Sequence, residues 1–242
     1  ESSNFGGRLL TMQSNGGVMS PEVAKEFGAN TLLSGPASGP AAALHFTKPH
    51  NLKNLITIDM GGTSLDACLI RDGRPTITKY SEVAEYALAV PSMDIRAIGS
   101  GGGSIAFVDT SGILHVGPES AGASPGPAAY GLGGEHPTVT DANILLGYLN
   151  PSYFLGGERK LHPDLSKSAI SKFIAEPLGI KMEQAANGII QLVNSQMANG
   201  VRKVSIEQGF DPRDAALVVA GGAGPLHACG IAEELGLDLI FI

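Results

Sequence analysis

Short apolar runs separated by glycine-rich breaks set the pattern of this chain. Leu55-Ile56-Thr57-Ile58-Asp59-Met60 is a compact, β-branched run that predicts a buried strand, and Leu65–Arg71 predicts a second. Asp72-Gly73 is a two-residue hairpin signal, and residues 75–80 return as a third strand. Residues 93–98 give a further strand that ends in Gly99-Ser100-Gly101-Gly102-Gly103-Ser104. Residues 105–108 and 113–116 flank Asp109-Thr110-Ser111-Gly112 as a hairpin.

Helical periodicity is clearest over residues 182–208, where Ala186, Ile190, Val193, Met197, Val201 and Val204 recur at three- and four-residue steps. Ser20-Pro21 opens a short helix over 21–29, since Ser caps and Pro suits the first turn. Ser34-Gly35-Pro36-Ala37-Ser38-Gly39 reads as a break before a small-residue helix over 40–46. Thr140 is placed to cap a helix over 141–148, and 164–176 reads as a surface helix. Residues 216–220 form a strand, followed by a glycine turn, a helix over 225–235 and a last strand. Early strands joined by hairpins, followed by helices, predict a mixed α/β sheet rather than a doubly wound one. The expected division is an incoming segment over 1–54 and an α/β lobe over 55–242, with a Gly/Pro-rich insertion over about 117–137. Both ends read as cuts within a longer polypeptide.

Composition narrows the partners. A net charge of −7 and the lack of a Lys/Arg block argue against nucleic acid. No apolar stretch is long enough to predict a membrane span. Cys68 and Cys229 both lie in apolar runs and are expected to be buried thiols of a cytoplasmic protein. Glycine is abundant, 33 of 242 residues, and gathers in short runs that suit close backbone approach to a ligand.

Two such runs carry candidate chemistry. In Asp59-Met60-Gly61-Gly62-Thr63-Ser64-Leu65-Asp66, Gly61 and Gly62 let backbone N–H groups form an anion nest, and Thr63 and Ser64 add hydroxyl donors. Asp59 at the strand end is placed to hold Mg²⁺ or orient a water; an ordinary hairpin, with Asp59 as turn acceptor, is the plainer alternative. Gly221-Gly222-Ala223-Gly224-Pro225-Leu226-His227 forms a strand–turn–helix start that can face a phosphate or nucleotide edge, or else allow tight helix–sheet packing. No Gly-Lys-Ser/Thr follows, so it is not a P-loop. His227 reads as either catalytic or structural, and His115 and His136 as metal ligands or plain surface and core histidines. Glu119 is a base or a solvated carboxylate, and Arg96 an anion clamp or an ion-pair member.

These motifs, together with Ser34-Gly35-Pro36-Ala37, Gly117-Pro118-Glu119-Ser120-Ala121-Gly122, Pro125-Gly126-Pro127-Ala128 and Pro137-Thr138-Val139-Thr140-Asp141-Ala142-Asn143, resemble the hydantoinase A / 5-oxoprolinase family over nearly the whole chain. Ser124 and Ala129 stand where that family usually has Asp and Cys, and Leu65 where it has Thr. The resemblance implies an actin/Hsp70/sugar-kinase-like ATPase fold, with a ribonuclease H-like mixed sheet and flanking helices, here as a fragment of a larger chain. It implies ATP-dependent opening of a cyclic amide such as hydantoin or 5-oxoproline, through phosphoryl activation of the amide. On that reading Gly61, Gly62, Thr63 and Ser64 hold phosphates, Asp59 and Asp66 are catalytic with Asp59 on Mg²⁺, and Gly221, Gly222, Ala223 and Gly224 approach the nucleotide. A second subunit or domain is the expected partner. The alternatives are a nucleotide-handling subunit of a ketone carboxylase and a non-catalytic nucleotide-binding module.

Overall fold

A computed structural model describes residues 6–83 and 86–242; residues 1–5, where the sequence reading begins, lie outside them. The chain divides into two compact units, residues 1–57 with 68–95, and residues 58–67 with 96–242.

A six-stranded sheet orders its strands Ile95–Ile98, Leu65–Arg71, Leu55–Met60, Ala216–Ala220 and Ile240–Phe241, with Arg74–Pro75 paired to Leu65–Arg71. It is mixed: Ala216–Ala220 and Ile240–Phe241 run parallel, while Leu65–Arg71 and Arg74–Pro75 run antiparallel through the Asp72-Gly73 turn. Both turn residues have positive φ, 50° and 74°, as a two-residue hairpin requires. Leu55, Ile56, Ile58, Met60, Leu65, Leu69 and Ile70 are fully buried, in keeping with their continuous apolar pattern.

In the first unit, sequence and structure part at two prolines. The predicted break before residue 40 is absent, because one helix spans Ser34–Thr47 with Pro40 inside it and Ala37, Pro40 and Ala43 buried. Pro40 leaves only the Pro36 carbonyl without its helical donor, and that carbonyl lies in the first turn among small neighbours. The predicted strand over 75–80 is split. Pro75 ends the pairing with Ile70, and Ile77–Thr78 pairs instead with Ser92–Met93. The predicted strand over 93–98 divides accordingly into Ser92–Met93 and Ile95–Ile98.

In the second unit, the helix Met182–Ile206 buries Ala186, Ile190, Val193, Met197, Val201 and Val204, the face its spacing predicts. The region 164–176 is not a plain surface helix. Its helix Pro163–Ile170 runs into a wider turn over Ser171–Ala175, where the Glu176 N–H reaches back to the Ser171 carbonyl, and Ile170 and Ile174 are buried. Cys229 is exposed, against expectation, because it faces outward from the helix Gly224–Leu235, while Cys68 is buried and its thiol is pushed up to about 12 by that burial.

The helix Val139–Leu145 is capped by Thr138 rather than Thr140. Thr138 accepts from the Asp141 N–H, and Asp141 returns a bond to the Thr138 N–H. The fully buried Asp141 carboxylate also accepts from the Ala128 and Ala129 N–H groups at 3.2 and 2.9 Å, the Thr138 hydroxyl at 2.8 Å and the Ser166 hydroxyl at 2.7 Å. One carboxylate thus ties the Gly/Pro-rich loop to two helices. Asp141→Ala leaves five donors without their acceptor, and urea unfolding is expected to show a loss of about 3 kcal/mol or more. Asp141→Asn, which sets an NH₂ against N–H donors, is expected to fail as a substitute.

Candidate active site

The sequence-predicted residues fall on three glycine loops that meet at the end of the strand Leu55–Met60 within the second unit. Gly102 and Gly103 donate their N–H groups to the Gly61 and Gly62 carbonyls at 3.0 and 2.6 Å. Ala223 donates to the Met60 carbonyl at 3.1 Å. The backbones lie so close that side chains have no room. A Cβ on Gly101 would stand 2.6 Å from Thr63 backbone atoms, and one on Gly221 would stand 2.5 Å from Asp59 Oδ1 and overlap the Met60 carbonyl oxygen.

This clamp occupies the Met60, Gly61 and Gly62 carbonyls and leaves most of the loop's donors over. Gly61 donates to the Ser64 carbonyl at 3.1 Å, closing the turn. Among the described residues the amides of Gly62, Thr63 and Ser64 meet no acceptor, and the Thr63 and Ser64 hydroxyls have no partner. Gly61 and Gly62 also have open space where a Cβ would sit. Successive unspent N–H groups with adjacent hydroxyls form an anion nest.

Asp59 and Asp66 stand near each other at the base of this loop. Desolvation first, and the Asp59 charge second, hold the Asp66 carboxyl above its usual range. A carboxyl whose proton affinity is raised by burial and a neighbouring charge, as that of Asp66 is, is a setting a divalent cation relieves. Among the described residues no three His, Cys, Asp or Glu side chains gather as a metal cage, so a cation here would draw its other ligands from phosphate and water.

Beside the loops is a cavity of about 250 Å³, reached by Gly61, Gly62, Gly102, Gly222 and Ala223 and walled by Tyr130, Phe154 and Leu226. Thr140 and Asn143 supply its polar side chains, with Thr140 Oγ1 donating to the Gly102 carbonyl at 2.8 Å. Sequence reasoning left Tyr130, Phe154 and Asn143 out of the site. The signal lay in the Pro137–Asn143 motif, whose spacing puts Thr140 and Asn143 on one side of a short helix.

His227 is fully buried. Its Nδ1 lies 2.7 Å from Asn194 Oδ1 and its Nε2 3.2 Å from Asn143 Nδ2, so one neutral tautomer donates at Nδ1 and accepts at Nε2. The other candidates are engaged elsewhere. Arg96 pairs with Glu207 at 2.7 Å, His115 with Asp109 at 2.7 Å, His136 packs on Phe173, and Glu119 is exposed. No helix among the described residues is long and apolar enough to cross a membrane.

Burial lowers the His227 pKa from 6.5 to about 4, so the folded state resists a proton that the unfolded chain accepts. Stability from this group is complete above about pH 6.5 and is lost as pH falls towards about 4, by up to about 3 kcal/mol. Urea unfolding over that interval is expected to show this loss in the native sequence and a flatter profile in His227→Gln. Equal slopes would mean that His227 charges freely in the fold.

The Hydantoinase/oxoprolinase family matches residues 1–242. The chain is 50% identical over 230 residues to caprolactamase subunit alpha of Pseudomonas jessenii, covering 95% of this chain and 33% of that protein. The crystal structure of the ATP-dependent caprolactamase from Pseudomonas jessenii superposes with a TM-score of 0.85 at 50% identity, over 95% of this chain and 33% of that one. A nucleotide-free acetone carboxylase structure also superposes at 0.85, with 36% identity over 96% of this chain and 33% of that one. The chain therefore spans about a third of the length of such relatives. With the whole chain matched and the glycine loops in place, this chain belongs to the hydantoinase/oxoprolinase family.

Proposed function

We propose that this chain contributes one phosphate-binding half of an ATP-dependent hydrolase that opens a small cyclic amide of the hydantoin, 5-oxoproline or lactam kind. The observation that carries the reading is the set of unspent donors on Gly62, Thr63 and Ser64 beside the Asp59–Asp66 pair. ATP with Mg²⁺, when bound, would supply the phosphoryl group that, on the amide oxygen, breaks the amide resonance and makes the carbon electrophilic enough for water to add and the ring C–N bond to break. The protein's task is positioning and charge stabilisation. The loop amides and hydroxyls hold phosphate oxygens, Asp59 holds the cation directly or through water, and Asp66 lies behind it. The Gly221–Gly224 turn brings backbone, rather than side chain, against the nucleotide.

The family includes carboxylase relatives, and a ketone carboxylase subunit is the second reading. Greater identity to the caprolactamase than to the acetone carboxylase favours the hydrolase. Relatives named as subunits support a partner subunit or domain that completes the site. We assign the cytoplasm as the working compartment, where ATP is available and thiols such as Cys68 and Cys229 stay reduced.

The test is ADP release by the full-length polypeptide with its partner subunit, in the presence of caprolactam, 5-oxoproline or hydantoin. Cyclic amide is expected to stimulate release, and Asp59→Ala to lower kcat by about 10²-fold or more. Gly62→Ala is expected to keep its melting temperature, since its Cβ meets open space, while weakening nucleotide binding. Turnover that requires ketone and bicarbonate instead would transfer the assignment to the carboxylases. Nucleotide binding with no turnover under either condition would leave a binding module.

A further inference from the structure

One buried polar atom beside the glycine loops is left over, and its neighbours explain why. Asn143 is 1% exposed, lines the cavity of about 250 Å³, and its Oδ1 has no hydrogen-bond partner. Buried acceptors are nearly always paired, so an orphan of this kind calls for a ligand or a water. The other end of the same amide is fixed. Asn194 Oδ1 takes the His227 Nδ1 proton, which leaves Nε2 as an acceptor, and Nε2 takes a proton from Asn143 Nδ2. A flip of the Asn143 amide would put its carbonyl against that acceptor, two lone pairs facing each other. With the Asn194 amide oxygen facing Nδ1, as the structure sets it, the relay through His227 commits Nδ2 and reserves Oδ1.

The rest of the cavity describes what Oδ1 would meet. Tyr130 and Phe154 lie with ring centroids 5.6 Å apart and, with Leu149, Leu155 and Leu226, give an apolar wall. Gly61, Gly62, Gly222 and Ala223 bring the phosphate-binding loops to the other side. A volume of this size falls below the ordinary range for drug-sized ligands, so it suits one small ring rather than a whole nucleotide. Apolar walls with a fixed acceptor suit a small, largely apolar ring that carries an N–H donor.

We propose that Asn143 Oδ1, oriented by His227 and Asn194, is the acceptor that reads an N–H of a small nitrogen heterocycle seated in this cavity. Two rings in the proposed reaction share that chemistry: the cyclic amide substrate, through its ring N–H, and adenine, through its amino group. The inference deepens the function proposed above and rests on it for the identity of these rings. Asn143 is then a recognition residue, and His227 a positioning residue that acts through it.

The experiment is calorimetric binding to the full-length polypeptide with its partner subunit, using two ligand pairs. One pair is caprolactam and N-methylcaprolactam, presented with a non-hydrolysable ATP analogue. The other is ADP and the diphosphate of purine riboside, which lacks the amino group. The native protein is expected to prefer the N–H member of one pair by about 10-fold or more, because a missing donor strands a buried acceptor. Asn143→Ala is expected to narrow that preference to within about 3-fold, on the same per-bond scale. Asn143→Leu, closer in size, carries the same comparison if the alanine variant unfolds. His227→Leu, which frees the amide to turn, is expected to narrow the preference as well, and His227→Gln, which still offers an acceptor, to retain it. The pair that responds names the ring. No preference in either pair with the native protein overturns the proposal without any variant. So does a preference unchanged in the Asn143 variants, or a ligand-bound structure in which only an internal water meets Oδ1. A preference governed by Asn143 in an enzyme that hydrolyses no cyclic amide would instead uphold this recognition role and sink the hydrolase reading.

Discussion

The site depends on three backbones approaching more closely than side chains allow. Around the end of the strand Leu55–Met60, the Gly101–Gly103 loop lies against one flank and the Gly221–Ala223 turn against another. Every carbonyl these segments satisfy on Met60, Gly61 and Gly62 turns a peptide plane inward. The Gly61 amide closes the turn onto the Ser64 carbonyl, and the amides of Gly62, Thr63 and Ser64 are left without acceptors among the described residues, beside a carboxylate pair. Binding capacity here is a consequence of how the loop is held from behind, and it needs no lysine or arginine in the loop itself.

A second constraint supports the first. The Gly102 carbonyl receives both the Thr140 N–H and hydroxyl, so the helix Val139–Leu145 braces the loop that braces the Gly61–Ser64 turn. That helix is anchored by Asp141, whose two oxygens gather donors from the Gly/Pro-rich loop, the helix cap and Ser166. A step of two residues along this helix therefore joins a buried carboxylate, whose acceptors are fully used, to Asn143, whose side-chain acceptor is not. Low-dielectric surroundings make both situations energetically consequential, the first as stability and the second as selectivity.

Much of this was legible in the sequence, and the reasons differ by element. Leu55–Met60, Leu65–Arg71 and Met182–Ile206 carry their burial in a local pattern, so strand and helix follow from periodicity alone. The Gly61-Gly62 and Gly221-Gly222 pairs mark sites of close approach, although sequence did not say that Gly101 and Gly221 pack against protein while Gly61 and Gly62 face open space. Local rules misled where tertiary packing outweighed them. Pro40 sits inside a helix whose small residues leave room for its ring, and the strand expected over 75–80 changes partners after Pro75. Thr138 rather than Thr140 takes the cap because Asp141 lies three residues on, a signal the chain displays but which the nearer apolar run obscured. Tyr130, Phe154 and the His227–Asn143 contact join residues far apart in sequence, and no local pattern announces them.

The central claim is that the amides of Gly62, Thr63 and Ser64 are phosphate donors. The most direct measurement is a structure of the full-length polypeptide, with its partner subunit, bound to a non-hydrolysable ATP analogue. The account predicts phosphate oxygens within about 3 Å of at least two of these N–H groups, with the cation next to Asp59. A nucleotide lodged elsewhere, with only water on Gly62, Thr63 and Ser64, would contradict it.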